Sequence, residues 1–132
     1  MTRNPDRPLS PHLTIWKWGP HMAISILHRI TGVGLALVGM GLFTWWLVAA
    51  ASGAEAYGTF AGWASWKWAL LVWVPLSWAF FQHTLSGMRH FVMDAGAGFA
   101  LDTNKFWAWA VLALALVLTA LLWAWIIYGR AA

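Results

Sequence analysis

The chain has 132 residues, of which 61% are hydrophobic, 17% aromatic and only 9% charged, and its formal net charge is +4. This composition excludes an ordinary soluble domain and indicates an integral membrane protein. The chain has no cysteine, which excludes disulfides, thiolate-bound metal clusters and a cysteine nucleophile within it. The basic residues lie at the ends of apolar runs, so they indicate membrane topology and not nucleic-acid binding.

The start of the chain predicts an extended N-terminal arm over residues 1–20. This segment contains Pro5, Pro8, Pro11 and Pro20, and each proline disfavours helical geometry in the residue before it. The segment has no apolar core and therefore matches neither a secretory signal nor a transit peptide. We expect the arm to lie along one membrane face.

Three long uncharged runs predict an all-α membrane protein with three transmembrane helices in a single membrane-anchor domain, 1–132. Each run is long enough to cross a hydrocarbon layer of ~30 Å as a helix. We expect helices 1, 2 and 3 at about 21–51, about 63–93 and about 104–129. Between helices 1 and 2, the glycine-rich residues 52–62 predict a short loop that carries Glu55.

The distribution of lysine and arginine predicts the orientation of these helices. Lys67 and Arg130 fall on one side of the membrane, whereas the other basic residues share the side of the N-terminus: Arg3, Arg7, Lys17, Arg29, Arg89 and Lys105. The positive-inside rule therefore places the N-terminus in the cytoplasm. Because the N-terminal segment shows no presequence pattern, we expect the bacterial inner membrane rather than the mitochondrial one.

The first polar motif is SILHRITG, residues 25–32, at the cytoplasmic end of helix 1. Ser25 and Arg29 are four residues apart and share a helix face, where a hydroxyl and a permanent cation can both donate hydrogen bonds to a quinone carbonyl. An alternative interpretation makes Arg29 a topology anchor, His28 an interfacial residue and Ser25 a packing or capping residue. The motif alone leaves both interpretations open.

The second motif lies on helix 2, where His83, Gly87, His90 and Asp94 follow each other at spacings of four, three and four and so share one face. His83 falls within the apolar layer, where an ionisable side chain is costly and usually functional. An imidazole there can ligate haem iron while its other nitrogen donates to a carbonyl, and Arg89 and His90 near the interface can pair with haem propionates.

The alternative for the second motif is that His83 only hydrogen-bonds to another helix, while the residues beyond it form a hydrated helix end. Haem with two histidine ligands would also require a second protein, because we expect no other histidine of this chain at the depth of His83.

Together with the preceding RPLSPHLTIW segment, the two motifs resemble the cytochrome b556 membrane anchor subunit of succinate dehydrogenase, the large anchor of respiratory complex II. The matching segments occur in the family's order at 7–18, 25–32 and 83–96. The resemblance implies a subunit of succinate:quinone oxidoreductase that is not catalytic alone. It also implies three partners: a flavoprotein, an iron-sulfur protein and a second small membrane anchor.

The resemblance further implies roles for individual residues. His83 matches the axial ligand of haem b, whose other ligand comes from the second anchor, and His28, Arg29 and His90 match positions near the haem propionates. Ser25 and Arg29 match positions of the ubiquinone site. Two rivals stay open: the anchor of a quinol:fumarate reductase, in which electrons flow in the opposite direction, and a structural membrane tether without a cofactor.

Overall fold

The computed structural model describes residue 12 and residues 17–129, and the regular structure in this part of the chain is entirely helical. The all-α prediction is therefore confirmed for these residues. Most of the predicted N-terminal arm, 1–20, lies outside them. Two helices, Pro20–Ser52 and Leu101–Tyr128, are long and apolar enough to cross a membrane.

Helix α1, Pro20–Ser52, differs from the predicted bounds of 21–51 by one residue at each end. It begins with proline at its first position, where the missing N–H would have had no helical partner. A π-helical turn at Leu35–Gly39 interrupts the α-helical geometry. The helix ends before Gly53, whose φ of 108° lies in the region that favours glycine.

The predicted loop at 52–62 is wrong, because a short helix α2 occupies Ala54–Ala64. Its alanine content favours a helix, and Glu55 in the first turn complements the helix dipole. Phe60 is buried and packs edge-on against Trp45 of α1, with ring centroids 5.0 Å apart. This tertiary contact stabilises a segment whose glycine content alone favours a loop.

Helix α3, Leu70–Asp94, begins later than the predicted start at about 63. Trp66 has an extended backbone (φ −68°, ψ 137°) that separates α2 from a short 3-10 turn at Lys67–Ala69. The helix continues through Pro75 and is 25 residues long, which suits a membrane crossing. Its polar residues make it less apolar than α1 and α4.

Helix α4, Leu101–Tyr128, begins three residues before the predicted 104. Ala100 precedes it with an extended backbone, and Asp102 lies in its first turn, where a carboxylate complements the helix dipole. No side-chain hydrogen bond caps this end of the helix.

Helices α1, α3 and α4 pack together around a small core. Ile24 of α1 and Ala108 and Val111 of α4 form its centre. Small buried residues continue along the same face of α4 at Ala115 and Thr119, which allows the neighbouring helices to approach closely. The outward faces carry large exposed apolar side chains, as expected of helices that lipid and partner chains cover.

The close approach of the helices predicts that the small residues of α4 cannot be enlarged. Ala108 is 0% exposed, so we expect Ala108→Leu to lower the free energy of unfolding by about 1–3 kcal/mol. Ala113, on the exposed face of the same helix, is the matched control, and Ala113→Leu should change stability by less than about 0.5 kcal/mol. Tryptophan fluorescence during detergent-induced unfolding measures both; equal effects would contradict the packing described here.

Candidate functional site

Three histidines from two helices meet at the end of the bundle where α3 turns towards α4. His28 of α1 stacks on His83 of α3, with ring centroids 4.0 Å apart and an interplanar angle of 6°. His90, also from α3, lies 4.8 Å from His28 with its ring tilted by 42°. The two polar motifs of the sequence are therefore in direct contact.

The His83 ring is held by groups of α1. Its Nδ1 lies 3.0 Å from the backbone oxygen of His28 and 3.3 Å from Oγ1 of Thr31. A carbonyl oxygen can only accept, so Nδ1 is the donor, and in the neutral ring the lone pair is then on Nε2. The buried Thr31 hydroxyl donates to the Leu27 carbonyl at 2.7 Å, which leaves its lone pairs for the imidazole.

Gly32 makes this position of His83 possible. A Cβ atom at Gly32 would lie 2.8 Å from Cε1 and 3.3 Å from Nδ1 of His83, so any side chain would displace the ring. The need for glycine at position 87 is weaker, since a Cβ atom on Gly87 would lie at an ordinary van der Waals distance of 3.6 Å from His28 Cε1. Gly32 therefore lets the imidazole lie directly against the α1 backbone.

Ser86 connects the three histidines. It is completely buried; its hydroxyl lies 3.2 Å from the His83 carbonyl, to which it can donate, and forms a 2.6 Å hydrogen bond with Nδ1 of His28. Its backbone oxygen accepts from Nδ1 of His90 at 2.7 Å. His83 and His90 thus both donate from Nδ1 to a backbone carbonyl. Sequence reasoning missed Ser86, although its position three residues after His83 and four before His90 was a usable signal.

Gln82 is a second polar residue that sequence reasoning missed. It is 0% exposed, and neither its amide nitrogen nor its amide oxygen has a hydrogen-bond partner within the described part of the chain. One turn earlier, the indole nitrogen of Trp78 is also buried without a partner there. A buried amide without a hydrogen-bond partner destabilises the folded chain by about 1–3 kcal/mol, and Gln82 carries this cost beside the histidine cluster. The available sequence signal was a glutamine within an otherwise apolar run.

The predicted quinone residues lie outside this cluster. Ser25 is half-buried and Arg29 exposed, one turn apart on α1, and neither side chain is bonded to another described residue. Arg89 also lies apart, because its Nη2 donates to Oδ1 of Asn104 on α4 at 2.7 Å. The two residues expected near the haem propionates on α3 thus contact different helices: Arg89 contacts α4 and His90 contacts α1.

The histidine cluster can provide one nitrogen ligand, from His83, but not a set of side chains that surrounds a metal ion. The described residues contain no group of three or more His, Cys, Asp or Glu side chains arranged to hold a metal ion. His28 and His83 cannot ligate opposite faces of one flat macrocycle, because parallel rings 4.0 Å apart leave no space between them. His83, with Nδ1 tied to a carbonyl, has the environment of an oriented ligand whose Nε2 is available.

Comparison with known proteins shows which family this fold and site belong to. The model of the succinate dehydrogenase/fumarate reductase transmembrane subunit family matches residues 3–122. The chain belongs to this family. The resemblance inferred from its three sequence segments is thereby confirmed, and a transmembrane chain of complex II in electron transport fits this family.

Curated relatives cover nearly the whole chain. It is similar to the succinate dehydrogenase cytochrome b556 subunit of Rickettsia felis, with 38% identity over 117 residues, 89% of this chain and 90% of that protein. The protein of the same name from Paracoccus denitrificans is 37% identical over 88% of each chain. The mitochondrial cytochrome b560 subunit of Mus musculus is 34% identical over 114 residues, 85% of this chain and 67% of that one.

The contact between Gly32 and His83 can be tested directly. We expect Gly32→Ala to displace the His83 ring and to change its imidazole nitrogen-15 shifts, because the new methyl group overlaps the ring. Gly34 is the matched control, since a Cβ there meets nothing within 4 Å. Histidine-labelled full-length chain in micelles gives the measurement. An unchanged His83 signal in Gly32→Ala would contradict the described contact.

Proposed function

We propose that this chain is a membrane anchor subunit of a succinate:quinone oxidoreductase, that it holds haem b jointly with a second anchor, and that it contributes to the ubiquinone-reduction site. The observation on which the proposal rests is the hydrogen bond from His83 Nδ1 to the His28 carbonyl, which orients Nε2 for a metal. The relatives named as cytochrome b subunits support it. The chain is not catalytic alone.

The residues of the cluster fit a haem. His83 would hold the iron through Nε2, and Gly32 leaves the space in which the ring is oriented. His28 and His90, in ring contact with each other, and Arg29 on the next residue of α1 would lie near the propionates as donors. When bound, a b-type haem supplies a carrier for single electrons.

A second protein ligand to the haem would have to come from another chain. His28 lies face to face with His83, and His90 leans against His28, so neither ring is opposite Nε2 of His83. His21 lies seven residues before His28 on α1, or about 10 Å along the helix axis. A second small membrane anchor that supplies a histidine would complete the coordination.

Ser25 and Arg29 would form this chain's part of the quinone site. They lie one turn apart on α1, and their donors are not engaged by other described residues. The fixed positive charge of Arg29 would stabilise negative charge that develops on one quinone oxygen, and the Ser25 hydroxyl would donate to the carbonyl. Electrons would arrive from an iron-sulfur partner, and protons would come from water or a partner side chain.

The proposed topology has α1, α3 and α4 crossing the membrane with the N-terminus in the cytoplasm. The contacts from His28 to Ser86 and from Arg89 to Asn104 bring three basic residues to one end of the bundle: Arg29, Arg89 and Lys105. Lys67 precedes α3 at the opposite end. The positive-inside rule then places the first end in the cytoplasm, where the flavoprotein and the iron-sulfur protein would dock. Bacterial relatives support the bacterial inner membrane as its location.

A quinol:fumarate reductase anchor is the competing assignment within the same family, since the family description covers both enzymes. We propose succinate oxidation because the relatives described above are named as succinate dehydrogenase subunits. In membranes, the ratio of succinate:quinone to quinol:fumarate activity measures the direction. A ratio well above one supports the proposal, and a ratio below one supports the competing assignment.

The haem ligand is tested by replacing His83. We expect His83→Ala to abolish or strongly alter the b-type absorption spectrum of the purified complex, because no other described histidine can replace its nitrogen in the same orientation. His21→Ala is the matched control and should leave the spectrum unchanged. An unaltered spectrum in His83→Ala would contradict the ligand assignment.

The quinone site is tested by Ser25→Ala and Arg29→Gln. We expect quinone reduction to fall by about 10²–10³-fold, the range seen when one donor to a developing negative charge is removed. Succinate oxidation with a soluble artificial acceptor should be largely retained, because the flavoprotein is untouched. If both activities fall equally, the variants have impaired assembly and the quinone assignment is contradicted.

A further inference from the structure

A groove of about 370 Å³ runs between the second half of α3 and the first half of α4, on a different side of α3 from the histidine cluster. Its walls are apolar and consist mainly of Leu85, Met88, Val92, Trp107, Ala110 and Leu114. The groove opens outwards, since the side chains of Met88, Val92 and Trp107 are more than half exposed (58%, 53% and 52%). Neither the three histidines nor the proposed quinone residues line it.

One charged residue, Arg89, lines this groove. Its guanidinium is half-buried and donates to the neutral Oδ1 of Asn104 at 2.7 Å. The acidic residues nearest in sequence, Asp94 and Asp102, are exposed, and no described carboxylate forms an ion pair with Arg89. A partly desolvated cation with a neutral partner retains its charge uncompensated, so an anion at this position would be strongly favoured.

The groove has the shape and polarity of a site for an amphiphile. Arg89 lies five residues before the end of α3, next to the turn that leads to α4, which is the level expected for the membrane interface. Half-buried Lys105, in the second turn of α4, adds a further cation at the same end. From there the apolar walls follow both helices towards the middle of the bundle.

We propose that the groove between α3 and α4 binds an anionic phospholipid, with its phosphate on Arg89 and one acyl chain along the apolar walls. Charge complementarity selects this occupant, because an apolar partner helix would cover Arg89 without providing a counter-ion. A zwitterionic lipid could occupy the same groove, but its net attraction to the guanidinium would be weaker. The site shares no residue with the proposed haem or quinone sites, so its failure would not affect them.

A second groove near Lys67 provides a matched control. It lies at the opposite end of the bundle and is also lined by large apolar side chains, including Trp73 and Trp123. Lys67, however, is exposed, and its Nζ lies 5.6 Å from the centroid of the Trp68 ring. Water and the indole ring therefore already stabilise its charge. Removal of this charge changes the net charge of the chain by the same amount without touching the proposed site.

The test measures lipid binding to the full chain, assembled with its partners, in nanodiscs that contain phosphatidylglycerol and phosphatidylethanolamine. We expect lipids quantified after limited delipidation to show retained phosphatidylglycerol. Arg89→Gln should weaken phosphatidylglycerol retention about 10-fold, as for the loss of a charge-assisted hydrogen bond. Lys67→Gln should leave it unchanged, and Ala110→Phe should displace both lipids by filling the groove. Tryptophan fluorescence verifies that each variant is folded.

Four results would overturn the proposal. The first is the absence of a preference for phosphatidylglycerol, and the second is an equal loss in Arg89→Gln and Lys67→Gln, which would indicate non-specific attraction. The third is a photo-crosslinker at Met88 that labels a partner protein instead of lipid. Displacement by glycerol phosphate alone would likewise contradict the proposal, because it would show that the acyl chain is not required.

Discussion

The hydrogen bond from His83 to the backbone carbonyl of His28 is the contact on which the rest of the site depends. It joins α3 to α1, fixes which imidazole nitrogen bears the proton and directs the other nitrogen outwards. Gly32 allows the ring to approach the α1 backbone, and Ser86 connects His28 and His90 to the same helix. Because α1 also carries Ser25 and Arg29, this contact determines how the proposed haem and quinone sites lie relative to each other.

Helix α3 separates two chemically different environments. On one side, His83 and His90 face α1 and donate hydrogen bonds to backbone carbonyls. On the other side, Arg89 faces α4 and presents a cation beside an apolar groove. Adjacent residues on a helix point about 100° apart, so Arg89 and His90 can serve different ligands although they are neighbours in the chain.

Much of the fold was predictable from the sequence because apolar runs determine membrane helices directly. The spacing of His83, Gly87 and His90 also placed them on one face correctly. What could not be predicted depended on contacts between helices. Packing of Phe60 on Trp45 turns an expected loop into α2, and the stacking of His28 on His83 brings together two motifs 55 residues apart. Periodicity within one segment contains no information about either contact.

The central claim is that this chain provides half of a haem site, and reconstitution tests it most directly. The full chain should be expressed in membranes alone and together with the proposed second anchor, and the reduced-minus-oxidised absorption spectrum recorded for each. The expected result is a b-type spectrum of a haem with two histidine ligands only when both chains are present. The same spectrum from this chain alone would contradict the claim, because its own histidines would then suffice.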